Sequence, residues 1–169
     1  EVELGGHSEE FVLDSDIIVL SPGVRWDEPV LEVARKKGIE TISEVELAYR
    51  LIDTPIIAIT GTNGKTTTTS LTAHILSSEK KVKLVGNIGI PFIQEIFDRS
   101  SEYFVLEVSS FQLQGTKFFR PKIGVFPSIS MLDDSVLYFS ISVFRLLAIS
   151  ILDFPLIKFK RVVKSYNLF

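Results

Sequence analysis

Residues 56–76 read IIAITGTNGKTTTTSLTAHIL. An apolar run stops at Thr60, a Gly-Thr-Asn-Gly-Lys-Thr turn follows, and a helical pattern begins near Lys65. A buried strand that runs through a glycine turn into a helix commits the chain to an α/β unit, because the helix must pack back over the sheet. The turn also presents backbone N–H groups at the positive end of the helix dipole, which is a ready anion site. Gly61 and Gly64 permit backbone angles and a close approach that a Cβ would block. Lys65 adds a mobile cation suited to outer phosphates, and the Thr66 hydroxyl is placed to ligate Mg²⁺. The β-branched run 66–69 propagates a helix poorly, so hydroxyls crowded at its start make more sense beside phosphate and metal. The loop departs from the standard phosphate-loop pattern, which has its first glycine where this chain has Ile59. The competing reading is a plain glycine turn that caps a helix.

The flanking text has the same alternation through residue 126. DIIVLSPG reads as a buried strand that ends at Ser21, Pro22 and Gly23. DEPVLEVARKKG carries helix boundary signals: Asp27 or Glu28 at the cap, Pro29 in the first turn, Lys36 and Lys37 near the end, and Gly38 as terminator. IETI reads as a short strand, and SEVELAYRL offers Ser43 and Glu46 as a capping box for the next helix. DTP, at 53–55, is the expected domain junction. IIAIT, KVKLVG, YFVLEV and KIGVF then read as strands, with helices starting near Lys65 and Pro91.

With 169 residues and 46% hydrophobic content, the chain can bury a core. A net charge of -3 gives no reason to expect nucleic acid or an anionic membrane as partner. The absence of cysteine removes disulfide and thiolate chemistry and fits a reducing, cytoplasmic interior. The opening EVELGGHSEE has no signal-peptide character and reads as the middle of a longer protein.

Glu107 is a lone carboxylate at the end of the apolar strand YFVLEV, at the sheet edge where α/β folds place ligands. A charge there must be paired, ligated or exposed, so metal service competes with a solvent-facing strand end. His74, on the helix after the loop, is expected to be a surface or packing residue; His7 sits in a turn and is assigned no role.

TGTNGKTT, VGNIGIPF (85–92) and FVLEVSSFQL (104–113) together resemble the Mur ligases and their relatives, the folylpolyglutamate synthases. Ser-Ser-Phe-Gln-Leu after an acidic residue, with Phe111 and Asn87 at their positions, resembles the D-glutamate-adding branch, as does SDIIVLSPGV. The resemblance covers roughly residues 5–126. It implies an α/β fold: a partial Rossmann-like N-terminal domain (1–53), followed by part of a P-loop-type parallel-sheet ATPase domain (54–126). It also implies ATP-dependent amide formation through an acyl phosphate, with UDP-N-acetylmuramoyl-L-alanine and D-glutamate as substrates in peptidoglycan-precursor synthesis. By carry-over, Gly61, Thr62, Asn63, Gly64, Lys65, Thr66 and Thr67 bind ATP. Lys65 and Glu107 serve catalysis, and Thr66 and Glu107 serve Mg²⁺. Ser21, Pro22, Gly23, Asn87 and Gln112 face the nucleotide-sugar substrate. A monomer is expected.

The pattern then fails. The family continues with Asn-Ile-Ser, an Asp-His-Leu-Asp stretch and a lysine that becomes carbamylated, where this chain has FPSISMLDDSVLYF and no lysine between Lys122 and Lys158. The last glutamate is Glu107 and the last glycine is Gly124, so 127–169 reads as a divergent hydrophobic tail. Its stretch 136–152 with the basic KFKRVVK admits a short membrane span; a disrupted reading frame is the favoured alternative. The start of the N-terminal domain and a C-terminal domain are expected to be missing, and the chain alone is expected to be inactive. Another Mur or folate branch, or a non-catalytic nucleotide-binding remnant, are the other function classes.

Overall fold

Sequence periodicity sets two parallel sheets of different size. The structure, a computed structural model, describes residue 3, residues 6–133 and residues 136–145. The first sheet pairs β1 (Ile17–Leu20) with β2 (Glu40–Ser43), and α1 (Glu9–Leu13) and α2 (Pro29–Lys36) belong to this part. The second contains β3 (Ile56–Ile59), β4 (Val82–Gly86), β5 (Tyr103–Glu107), β6 (Ile123–Asp133) and β7 (Val136–Arg145) in the order β4-β5-β3-β6-β7. All its neighbours are parallel except β6 and β7, which pair antiparallel.

β3 is central, and its four residues Ile-Ile-Ala-Ile are all buried, as a strand covered on both faces requires. Alternation then divides the core. Ile56, Ala58, Phe104 and Leu106 face one side, and Ile57, Ile59, Val105 and Val125 face the other. The second side is covered by α4 (Lys65–Leu76) through Ala73 and Leu76. The first receives α5 (Phe92–Glu95), α6 (Ser110–Gln114) and α3 (Glu44–Arg50). Phe92 and Phe104 meet edge to face there, with ring centroids 5.2 Å apart. The expected α/β class and parallel sheets are present.

Local expectations have mixed outcomes: Glu28 caps α2 ahead of Pro29 as expected, and the capping box at α3 is the one that changes. α3 falls within 1–53, yet Val45 and Ala48 pack into the core of the larger sheet. At its start, Ser43 Oγ accepts from the Glu46 N–H at 3.3 Å, but Glu46 does not return to the cap. Its carboxylate instead accepts from Arg50 Nε at 2.8 Å and from the N–H groups of Lys117, Phe118 and Phe119 at 2.9, 3.0 and 3.0 Å. Those three N–H groups stand at the turn after α6 and need an acceptor, and a buried acid on the neighbouring helix supplies it. At α2, Glu28 occupies the N-cap without a side-chain cap bond, and Asp27 pairs with Arg25 at 2.7 Å.

The compositional break at residue 127 is not an element boundary: β6 runs through it. Within the apolar stretch 136–152, residues 136–145 form β7 rather than a membrane helix, and the rest lies outside the described residues, as does KFKRVVK. Among the described residues no helix is long and apolar enough to cross a membrane.

Candidate active site

Parallel pairing aligns the strand ends that carry the expected site. Ile59, the last residue of β3, lies opposite Glu107 of β5, and Glu107 lies opposite Gly86 of β4. The loops after these strands therefore leave from one edge of the sheet, the carboxyl edge where α/β folds bind ligands. Backbone bonds tie them: Val108 N–H donates to Ile59 O and Asn87 N–H donates to Glu107 O, both at 3.0 Å. Connections from β3 run outward past β5 to β4, while the connection from β5 crosses β3 to β6. The strand order thus reverses beside the phosphate loop.

Gly64 holds φ +75° as the N-cap of α4. The first bond into the helix runs from Thr68 N–H to Gly64 O at 2.9 Å. The N–H groups of Lys65, Thr66 and Thr67 precede it and have no intrahelical acceptor, so they are available to an anion. Gly61 is required for a reason the sequence did not reveal: a Cβ there would stand 2.4 Å from Pro127 O. β6 passes close over the loop, making Pro127 part of its wall. Likewise a Cβ at Gly86 would meet Glu107 O at 2.2 Å, so only glycine lets β4 close against the acid-bearing strand end.

Lys65 Nζ donates to Gly61 O at 2.8 Å and to Thr62 O at 3.4 Å. The ammonium therefore lies back over the loop, and a bound phosphate would exchange these neutral acceptors for charged ones. Thr62, Asn63, Thr66 and Thr67 are exposed on the loop and the first helical turn. The threonine run divides there: Thr68 and Thr69 are buried, and Thr69 Oγ1 donates to Lys65 O at 2.8 Å. His74 and His7 are exposed, which puts His74 among the surface residues.

Glu107 is 4% exposed, and its Oε2 is buried without a hydrogen-bond partner among the described residues. A carboxylate oxygen left so is costly, and a cation is the group that would offset the cost. Mg²⁺ takes hard oxygen ligands, commonly one or two carboxylates together with substrate phosphates. No group of three or more His, Asp or Glu suited to a metal occurs among the described residues, so the fit rests on the Glu107 carboxylate with its unpaired oxygen. The residues fit the ion.

Across from this edge, Glu44 Oε1 accepts from Ile93 N–H at 2.5 Å and ties α3 to the segment that follows Asn87. Burial pushes the Glu44 carboxyl above its ordinary value, and the Ile93 N–H partly opposes this.

Family models match on both sides of the junction: the Mur ligase middle domain at residues 59–131 and the N-terminal domain of MurD-like Mur ligases at residues 1–43. The chain belongs to the Mur ligase family. It is 52% identical over 128 residues to the UDP-N-acetylmuramoylalanine--D-glutamate ligase of Alkaliphilus metalliredigens, which covers 73% of this chain and 28% of that protein. The proteins of the same name from Koribacter versatilis and Caldanaerobacter subterraneus are 50% and 46% identical, covering 76% and 77% of this chain. Each of those matches spans 29% of the relative's length, so the chain spans less than a third of these Mur ligases. The middle-domain match extends through residue 131 and so carries the family across the break at 127. The N-terminal match ends at Ser43, where α3 begins to pack on the larger sheet.

The residues expected to face the nucleotide-sugar substrate fall into two groups in this Mur ligase. Ser21 and Pro22 line a small cleft with Gln112, Trp26 and Phe111, and Gly23 lies in the same turn, closed by Val24 N–H to Ser21 O at 3.0 Å. Asn87 is exposed beside Glu107 and is not among the residues lining that cleft. Gln112 is 4% exposed, and its Oε1 accepts from Ser109 N–H at 2.9 Å and Ser109 Oγ at 3.1 Å. This is a true capping box at α6, and it leaves only the amide NH₂ of Gln112 for a substrate.

Proposed function

We propose that this Mur ligase chain forms the nucleotide-gripping part of an enzyme that joins D-glutamate to UDP-N-acetylmuramoyl-L-alanine with ATP. The supporting observation is the buried, unpartnered Glu107 Oε2, one strand over from the residue that leads into the phosphate loop. The relatives at 46% to 52% identity bear the name of that reaction.

In this reading the N–H groups of Lys65, Thr66 and Thr67 orient the phosphate oxygens, with Gly61, Thr62, Asn63 and Gly64 shaping the loop around them. Lys65 draws charge from the outer phosphates while the substrate carboxylate attacks to form an acyl phosphate. Thr66 and Glu107 would hold Mg²⁺, which supplies charge neutralisation. Asn87, Ser21, Pro22, Gly23 and Gln112 position the nucleotide-sugar substrate, whose amide is completed when the D-glutamate amine displaces phosphate. We assign the N-terminal part to 1–53 and the ATPase part to 54–126, with the divergence of 127–169 setting in inside β6, where the middle-domain match still runs to residue 131, in a cytoplasmic monomer.

ATP titration with and without Mg²⁺ tests the site. Mg²⁺ should strengthen binding, and ATP affinity that ignores both Mg²⁺ and Lys65→Ala would refute it. Phosphate release by the protein bearing this chain tests the reaction: it should require UDP-N-acetylmuramoyl-L-alanine and D-glutamate together. Release with lysine, diaminopimelate or a folate instead would move the chain to another branch.

A further inference from the structure

A cavity of about 310 Å³ lies away from the carboxyl edge of the larger sheet, between the smaller sheet and the turn after α6. Trp26, Arg35 and Thr41 contribute from one side, and Gln114, Thr116 and Lys117 from the other. Neither the phosphate loop nor Glu107 nor Asn87 lines it. The guanidinium of Arg35 sits over the Trp26 ring, 4.8 Å from its centroid, so the aromatic face holds the charged fork in place. Arg35 Nη1 is buried and has no hydrogen-bond partner among the described residues.

The one carboxylate in the cavity wall cannot supply that partner. Glu40 takes Arg50 through both oxygens at 3.0 Å, and its Oε1 also accepts Lys117 Nζ at 2.9 Å. These contacts hold Glu40 down to about 2, the Arg50 hydrogen bond being the larger cause and Lys117 the second. Glu40 is thus committed elsewhere, and Arg35, half-buried in the wall, has its Nη1 unpaired among the described residues. An orphaned charged donor is costly unless an anion meets it. The fixed fork of arginine matches the paired oxygens of a carboxylate or phosphate. The volume is near the lower limit of ligand pockets, which excludes anything as large as a dinucleotide.

We propose that this cavity binds a compact oxyanion, a phosphate or short carboxylate, on Arg35, in a site separate from the ATP loop. Because residues 26–41 and 114–117 lie on opposite walls, the ligand would bridge the smaller sheet to the turn after α6 and stabilise their joint.

Trp26 is the only tryptophan in the sequence and lines both this cavity and the small cleft with Ser21 and Pro22, so the Arg35 variants are what assign an emission change to this cavity. The full chain would be titrated with inorganic phosphate and, separately, with succinate, against potassium chloride at matched ionic strength. A saturable emission change is expected with at least one, and the tighter of the two identifies the source of the oxyanion. It should persist in Lys65→Ala, weaken about tenfold in Arg35→Lys and vanish in Arg35→Met. Thermal unfolding of each variant without ligand shows which are folded; if Arg35→Met is not, Arg35→Lys carries the comparison. A response no different from chloride, or one unchanged in a folded Arg35 variant, would overturn the proposal. Loss in Lys65→Ala would also overturn it, by assigning the signal to the phosphate loop, whereas failure here leaves the ATP site standing.

Discussion

Two glutamates in this molecule are almost equally buried and are treated in opposite ways. Glu46 is 0% exposed, and Arg50 together with three successive backbone N–H groups occupies both its oxygens. Glu107 is 4% exposed, and Oε2 has no hydrogen-bond partner among the described residues. Burial exacts a similar desolvation cost from each. In Glu46 the protein itself offsets the cost, which marks a structural acid; in Glu107 part of the offset is left open, and the proposed metal ligation would supply it. Hydrogen-bond saturation, rather than depth, separates the two roles.

The largest effect should come from breaking the saturated acid. Glu46→Ala leaves Arg50 with one acid fewer and three N–H groups without an acceptor, so urea denaturation should reveal a loss of about 3–5 kcal/mol. A loss below about 1 kcal/mol would mean that water or a neighbour takes over the turn after α6, and the contrast between the two acids would fail. Next in size is Lys65→Ala, which removes the loop's cation. Calorimetric titration should show ATP affinity reduced by about 1.5–3 kcal/mol. His74→Ala, at an exposed position on the same helix, should leave it unchanged.

Glu107→Gln sharpens the comparison from the other side. The amide is isosteric and relieves an uncompensated carboxylate, so stability should stay within about 1 kcal/mol of the parent. Mg²⁺ should cease to strengthen ATP binding. An equal Mg²⁺ enhancement in the variant would reduce Glu107 to a strand end.

The difference between these acids also explains what was legible in sequence. The strand, glycine turn and helix of the proposed phosphate loop were visible because their causes are local: an apolar run, two glycines at fixed offsets and a helix start within a few residues. Glu107 was visible because an acid at the end of an apolar run breaks period-two patterning. Glu46 was misread, since Ser43 and Glu46 satisfy a capping pattern while, apart from Arg50, the carboxylate's partners lie more than 70 residues away. Nothing local announces such a contact. Pro127 was missed for the same reason, as its carbonyl reaches Gly61 only after β6 has paired with β3. The break at 127 was a genuine change in composition, but strand pairing depends on backbone groups that Phe, Ile and Ser supply as well as other residues do.

The smallest effect is on acid stability, and it again turns on saturated carboxylates. Glu40 is held down to about 2 by its hydrogen bonds from Arg50 and then Lys117. Burial pushes Glu46 up, but the N–H groups of Lys117, Phe118 and Phe119 and the Arg50 guanidinium outweigh it and leave the carboxyl below its ordinary value. A depressed folded value means that the native state holds fewer protons than the unfolded chain, so stability is present above the ordinary value of 4.5 and declines as pH falls below it toward 2. Glu44, raised by burial, has the opposite sign: protonation favours its folded form, so it partly offsets the decline. Urea midpoints measured from about pH 5 down to about pH 3 should therefore fall, and fall less steeply in Glu40→Gln, which keeps the shape but not the proton linkage. The same slope in Glu40→Gln as in the parent would locate the acid sensitivity outside Glu40, whose hydrogen bonds from Arg50 and Lys117 would then stabilise the fold without making it sensitive to pH.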